Sequence, residues 1–408
     1  TKEAQSAAAK SAKPAFGAKS LDYYNEQYGS EAVFAVMCPH SDYWQTTIAE
    51  VTEKLAVELG VDGVYIDQIA AAGPRPCWDV SHNHTLGGGS HWVSGYTRML
   101  HRVREAVGVD RVVLTESNAE PFMSGVNLFL TLVGFSSGDL PAAQNSSSII
   151  VPAFQAVYGG YVLPVGAEFF QQDFLPNPDV FAAKIAAQFI FGAQMGWFSL
   201  GGRDNQSPAM GVFGLMMDAR YDAEITYLRS LSSAKLDAQS WFNHGRVMRP
   251  LELNVKITRQ EGVGGGGDEH LRRHPRSSRL PDEVGLAFGS VMSSAWLSAT
   301  NDSLLIVLTS VKRDVSKAEV SGTLDMSRYG FGAAARSERF EISPILMGTK
   351  QTTDPDDIDD GERQLTELGH QDLQSKGCSA SFPGDAVEIS ASLGTRDIAM
   401  LIIQPCRE

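Results

Sequence analysis

At 408 residues the chain has room for two or three domains with sizeable cores. Its hydrophobic fraction of 43% and charged fraction of 20% are those of an ordinary soluble protein. A formal net charge of −14 argues against nucleic acid and anionic membrane as partners, and no apolar run approaches the length that spans a bilayer.

The chain starts at Thr1 with no signal-like apolar segment behind it, which reads as a processed product or an excised fragment. Residues 1–31 form a lead-in, rich at first in Ala, Lys and Ser and without a sustained apolar face. AVFAVMCP, from Ala32, reads as a buried strand. The helix SDYWQTTIAEVTEKLAVELG follows, with Trp44, Ile48, Val51, Leu55 and Leu59 at three- and four-residue steps, Ser41 as N-cap and Gly60 as its stop. DGVYID is the next strand. A long loop containing Gly87–Gly89 leads from it to a helix, WVSGYTRMLHRVREAVG, and DRVVLTE is a third strand. GVNLFLTLVG and VPAFQAVYGGY read as the fourth and fifth strands, and GWFSLGG as the sixth. The helix FAAKIAAQFIFGAQMG precedes that sixth strand, and AEITYLRSLSSAKLDAQSWF closes the series.

Alternation of this kind predicts parallel βα units, hence an α/β fold. Six units are legible where a (β/α)₈ TIM barrel has eight, so the first two are expected upstream of residue 1. An open doubly wound sheet lacks its signature, because no Gly-x-Gly-x-x-Gly follows a strand. Residues 32–245 are therefore assigned to the barrel portion. Residues 246–408 change texture to short Val/Ile/Leu-rich runs between turn residues, which predicts an all-β C-terminal sandwich. Two insertions within it, residues 264–283 and 349–376, read as solvated and mobile.

Cys38 and Cys77 fall in the first half, Cys378 and Cys406 in the second; one bridge per half and four unpaired buried thiols are both compatible with this spacing. Four of the ten asparagines, Asn83, Asn145, Asn205 and Asn301, sit in N-x-S/T, which favours a secreted or lumenal glycoprotein.

The chemistry is expected where strands end in carboxylates. The run Val64-Tyr65-Ile66 stops at Asp67, and Val112-Val113-Leu114-Thr115 stops at Glu116. Counted from the missing units, these end the fourth and fifth barrel strands. Retaining glycoside hydrolysis needs two carboxyl groups roughly 5–5.5 Å apart, one ionised as nucleophile and one protonated as general acid, and adjacent strands can supply that gap. Asp67, short and rising from the strand, suits the nucleophile. Glu116, with a longer reach and with Asn118 beside it, suits the acid/base; Glu120 competes for that role. The plain alternative for Asp67 is helix capping, but no helix begins for roughly twenty residues.

Asp79, His82 and His84 are expected to bond sugar hydroxyls, with Trp78 or Trp92 as a stacking face; core packing competes for the tryptophans. The His-x-His spacing also allows a metal site with Cys77 or Asp79, although a full ligand set is not evident. Gln155 and Tyr158, closing the fifth strand, and Trp197 are candidates for lining the pocket, with the barrel interior the better reading for Trp197. Arg203 and Asp204 read equally as pocket residues or a surface pair.

Taken together, CP…WQ (Cys38, Pro39, Trp44, Gln45), GVDGVYIDQIA, H-x-H-x-x-GGG with Gly95-Tyr96, LTESNAEP and VPAFQAVYGGY resemble a barrel family of glycoside-hydrolase type, known mainly as a domain of unknown function. The resemblance covers roughly residues 32–202. The carboxylate layout is also similar to the α-amylase superfamily and the endo-α-N-acetylgalactosaminidases, which implies Asp67 as nucleophile and Glu116 as acid/base. It departs from the α-amylase pattern where a further Asp is expected, since this chain has Gln155. The expectation is a retaining glycosidase on an α-linked sugar, needing no cofactor and no essential metal. A non-catalytic carbohydrate-binding barrel and a metal-dependent hydrolase using His82 and His84 are the alternatives.

Overall fold

The computed structural model describes residues 23–27, 31–130, 152–166, 178–196, 222–249, 251–259, 290–330, 340–344 and 386–405. Trp197, Arg203, Asp204, Asn145, Asn205, Cys378, Cys406, the sixth expected strand from Trp197 on and both C-terminal insertions lie outside them. The chain divides into two compact units, Thr1–Leu132 with Asp204–Ser207, and Val133–Arg203 with Pro208–Glu408.

The first unit opens with an antiparallel pair, β1 (Tyr23–Gln27) and β2 (Glu31–Ala35). The expected parallel strand over AVFAVMCP is thus corrected: its first residues pair backwards with the lead-in, and the chain turns at Cys38–Ser41 into α1 (Asp42–Glu53). A single π turn, Lys54–Glu58, extends α1 to Gly60, whose positive φ of 72° ends it. Strands β3 (Gly63–Ile66), β4 (Val112–Glu116) and β5 (Leu128–Leu130) are parallel neighbours, with Ile66 beside Thr115 and Glu116 beside Leu130. Helix α2 (His91–Val107) joins β3 to β4. It buries Trp92, Gly95, Met99, Leu100, Val103 and Val107, the three- and four-residue stripe of an amphipathic helix.

The periodicity of α1 locates the helix but not its inward face. Val51 is 51% exposed and Leu59 64%, while Gln45 and Thr52 are buried. The reason is local hydrogen bonding. The Gln45 amide donates to the carbonyls of Pro39 (2.7 Å) and Gly95 (3.3 Å), and the Thr52 hydroxyl bonds back to Ile48 and Ala49. Polar side chains so satisfied can occupy a packed face. Gly95 permits the close approach, since a Cβ there would lie 2.7 Å from the Pro39 carbonyl carbon.

In the second unit the expected fifth strand is a short helix, α3 (Ala153–Tyr158), which follows Pro152 and closes with backbone bonds Ala156 to Pro152 and Gly159 to Gln155. A short apolar run does not distinguish strand from helix by periodicity, and here proline at the start favours the helix. Strand β6 (Leu163–Val165) makes a parallel bridge from Val165 to Gln194. Helices α4 (Pro178–Ile190), α5 (Asp222–Asp237) and α6 (Gln239–His244) share one core with Trp296, Leu305, Val307 and Met400 of the following β region. Buried Glu224 binds Arg313 at 2.7 Å and also pairs with Arg396, which reaches Asp179 at 2.9 Å.

The β region comprises β7 (Arg246–Val247), β8 (Asn254–Arg259), β9 (Val291–Leu297), β10 (Leu304–Ser310), β11 (Val315–Asp325), β12 (Phe340–Pro344), β13 (Ala386–Leu393) and β14 (Ile398–Pro405). They form an antiparallel sheet ordered β12-β14-β10-β9-β7 and a second ordered β13-β11-β8. Ala295, Leu304, Ile306 and Leu401 of the first share a core with Val320, Leu324, Val387 and Ile389 of the second, as in a sandwich. Parallel strands and antiparallel C-terminal sheets are both present; the described residues do not close a ring of eight.

Candidate active site

The parallel register of β3 and β4 aligns Val64 with Val113 and Ile66 with Thr115, so Asp67 and Glu116 each follow at the next step. Paired residues of neighbouring strands direct their side chains to one face, and alternation puts Tyr65 and Asp67 on the face opposite buried Val64. Asp67 is exposed and Glu116 half-buried. Tyr65 donates its hydroxyl to the Asp67 carboxylate at 2.6 Å. Sequence reasoning did not single out Tyr65; the Tyr-x-Asp spacing at a strand end was the available signal.

Both carboxylates are followed by a residue in left-handed backbone conformation, Gln68 (φ 60°) and Ser117 (φ 62°), neither of them glycine. Such conformations cost about 1–3 kcal/mol and concentrate at functional sites. Ser117 is held by its N–H donating to the Leu130 carbonyl at 2.6 Å. Two adjacent strands therefore turn sharply right after their acidic residue. Asn118 and Glu120 are exposed beyond Glu116, Glu120 opening a single 3-10 turn (Glu120–Phe122).

The loop after Asp67 gathers the remaining candidates around two cysteines. Cys38 Sγ lies 3.3 Å from His84 Nε2, and Cys77 Sγ lies 3.4 Å from His82 Nδ1. Both cysteines are unbridged and fully buried, and His82 is 6% exposed. No bridge joins Cys38 and Cys77. Asp79 accepts from the Ser81 backbone N–H (2.9 Å) and hydroxyl (2.7 Å), capping the 3-10 turn Val80–His82. The His84 Nδ1–H donates to the Thr85 carbonyl at 2.8 Å. His91 stacks on His84 with ring centroids 4.5 Å apart, and its two nitrogens lie 3.0 Å from the carbonyls of Gly88 and Arg75. His40 meets the Ser94 hydroxyl at 2.9 Å; burial, then the nearby Arg98 charge, lowers its pKa from the ordinary imidazole value. Gly87, at φ 74°, packs against the Trp78 ring, where a Cβ would come within 2.4 Å. Trp92 is buried edge-on to Tyr96. Gln155 and Tyr158 belong to α3 of the second unit; Gln155 is buried, and its amide nitrogen and oxygen have no hydrogen-bond partner among the described residues.

Residues 1–169 match a family model described as a domain of unknown function (DUF6259). A Monosiga brevicollis protein named "Putative glycoside hydrolase 22789" is 36% identical over 306 residues, 74% of this chain and 24% of that protein. A Bacteroides thetaiotaomicron protein named "Putative glycoside hydrolase" is 25% identical over 229 residues, 56% of this chain and 31% of that one. The chain thus spans less than a third of the length of either curated relative. Among solved structures, a maltogenic α-amylase of Thermotoga neapolitana aligns over 94% of this chain and 70% of its own, at 10% identity and a TM-score of 0.47. The resemblance read from the motifs, to a glycoside-hydrolase-type family known mainly as a domain of unknown function, is borne out by the family match and the two curated relatives.

Proposed function

We propose that the chain carries the catalytic pair of a retaining glycoside hydrolase acting on an α-linked sugar, within a (β/α)₈ barrel followed by a sandwich. What supports this reading is the occupation of matched register positions at the C-terminal ends of β3 and β4 by Asp67 and Glu116. Neighbouring strands run about 4.8 Å apart, which suits the roughly 5–5.5 Å carboxyl separation of a retaining mechanism. In the first half-reaction the Asp67 carboxylate attacks the anomeric carbon while the bond to the leaving oxygen breaks, and Glu116 delivers its proton to that oxygen. In the second, water attacks the same carbon, gives its proton to Glu116 and expels Asp67. Tyr65, by donating to Asp67, holds the nucleophilic oxygen in place.

The test is a screen of activated aryl α- and β-glycosides, with the anomer first released identified by NMR. For an active substrate, Asp67→Asn is expected to abolish turnover. Glu116→Gln should lower it by about 10²–10⁴-fold on a poor leaving group, and far less on an activated one. Binding of sugar with no turnover by the unaltered chain would favour the non-catalytic alternative instead. A secreted or lumenal location is part of the proposal and rests on the four N-x-S/T sites. A mass loss on enzymatic deglycosylation of the natural protein checks it.

A further inference from the structure

We propose that Cys38, Cys77, His82 and His84 form a structural zinc site that fastens the loop following Asp67 to the segment preceding α1. The four donor atoms all lie within 4.8 Å of one another. Zinc takes sulfur at about 2.3 Å and imidazole nitrogen at about 2.0–2.1 Å, so donors on a tetrahedron stand about 3.3–3.8 Å apart. The two sulfur–nitrogen separations, 3.3 and 3.4 Å, already lie at that spacing. Two thiolates with two imidazoles are a donor set that selects zinc over harder cations.

The surroundings are arranged as metal-binding histidines require. His84 Nδ1–H is committed to the Thr85 carbonyl, an acceptor only, so Nε2 presents its lone pair towards Cys38. His82 presents Nδ1 to Cys77, while its Nε2 faces the Asp79 carboxylate at 4.0 Å, itself held by Ser81. Asn83, at φ 53°, turns the chain between the two histidines, and the Gly87 N–H donates to the Cys77 carbonyl at 2.7 Å. His84 is half-exposed and gives an entry path; the other three ligands are buried. Loading releases two thiol protons, leaving the divalent ion balanced by two thiolates beside two neutral imidazoles. Four protein ligands complete the tetrahedron and leave no position for water, so the site is structural rather than hydrolytic. The zinc site does not depend on glycosidase activity, because it is tested without substrate.

The full chain, purified under reducing conditions and dialysed against zinc, should hold about one zinc per chain. The cobalt-substituted chain should show the intense visible bands of a tetrahedral site together with thiolate-to-cobalt charge transfer. Cys77→Ser and His84→Ala should each bind zinc at least about 100-fold more weakly, whereas His101→Ala, on the exposed side of α2, should leave binding unchanged. Chelation should lower Tm. The cobalt spectrum of the unaltered chain keeps the test decisive even where a variant does not fold. A chain that takes up no zinc or cobalt, a Cys77→Ser chain that binds zinc unchanged, or a Cys38–Cys77 disulfide in the protein isolated without reductant would each overturn the proposal.

Discussion

Tyr65 lies in β3 and Asp67 just past its end, and that two-residue spacing brings the phenol to the carboxylate at 2.6 Å. A hydrogen bond to a charged group contributes about 1.5–3 kcal/mol, enough to alter a rate by about tenfold or more if it holds the nucleophile in its attacking position. Tyr65→Phe should therefore lower kcat by about tenfold on an active glycoside and leave Tm nearly unchanged, since the side chain is exposed. Equal kcat for Tyr65→Phe and the unaltered chain would remove Tyr65 from the mechanism. The identities of Asp67 and Glu116 were legible in the sequence because a carboxylate at the end of an apolar run stands out. The approach of Cys38 to His84 was not, because the two are brought together by the fold rather than by a spacing.

Among the elements, α1 and α2 show how little room the first unit has for change. Their meeting point is Gly95, whose missing side chain lets Pro39 and His40 close in, and Gln45 bonds across the same point. Gly95→Ala should cost about 1–3 kcal/mol through overpacking against backbone. Gly88→Ala, where nothing lies within 4 Å of the added carbon, should be close to neutral. A urea titration of both variants distinguishes the two, and equal midpoints would contradict the close approach. The helices and inner strands were legible from periodicity. The inward stripe of α1 and the helical nature of Ala153–Tyr158 were not, because the first was decided by hydrogen bonds from Gln45 to the Pro39 and Gly95 carbonyls and the second by local bonds that a six-residue run does not announce.

On the scale of the whole molecule, the core of the second unit contains a charge that shapes its stability. Lys235 is buried, donates to the Gly192 carbonyl at 2.9 Å and lies 4.9 Å above the Phe242 ring. Burial lowers its pKa from the ordinary 10.5 to about 8. Between those values the unfolded chain binds the proton and the folded chain has released it, so stability rises with pH over about 8 to 10.5. A tenfold change in proton affinity corresponds to about 1.4 kcal/mol, so the gain across the window is on the order of 3 kcal/mol. The Tm difference between the unaltered chain and Lys235→Met should move in favour of the unaltered chain across that window. A difference that stays flat from pH 7 to 10.5 would refute a buried lysine that sheds its proton this early.

The sequence by itself determined most of the strands and helices, the all-β C-terminal region and the place of Asp67 and Glu116 at the ends of two neighbouring strands, because each is written in short-range pattern. Only the tertiary structure decided which strands run antiparallel at the start, which face of α1 turns inward and which side chains meet Cys38. Those outcomes depend on contacts between residues far apart in the chain, and no local period encodes them. The four-residue cluster of Cys38, Cys77, His82 and His84 is the clearest case, since the folded path of the loop after Asp67 is what brings its donors within 4.8 Å.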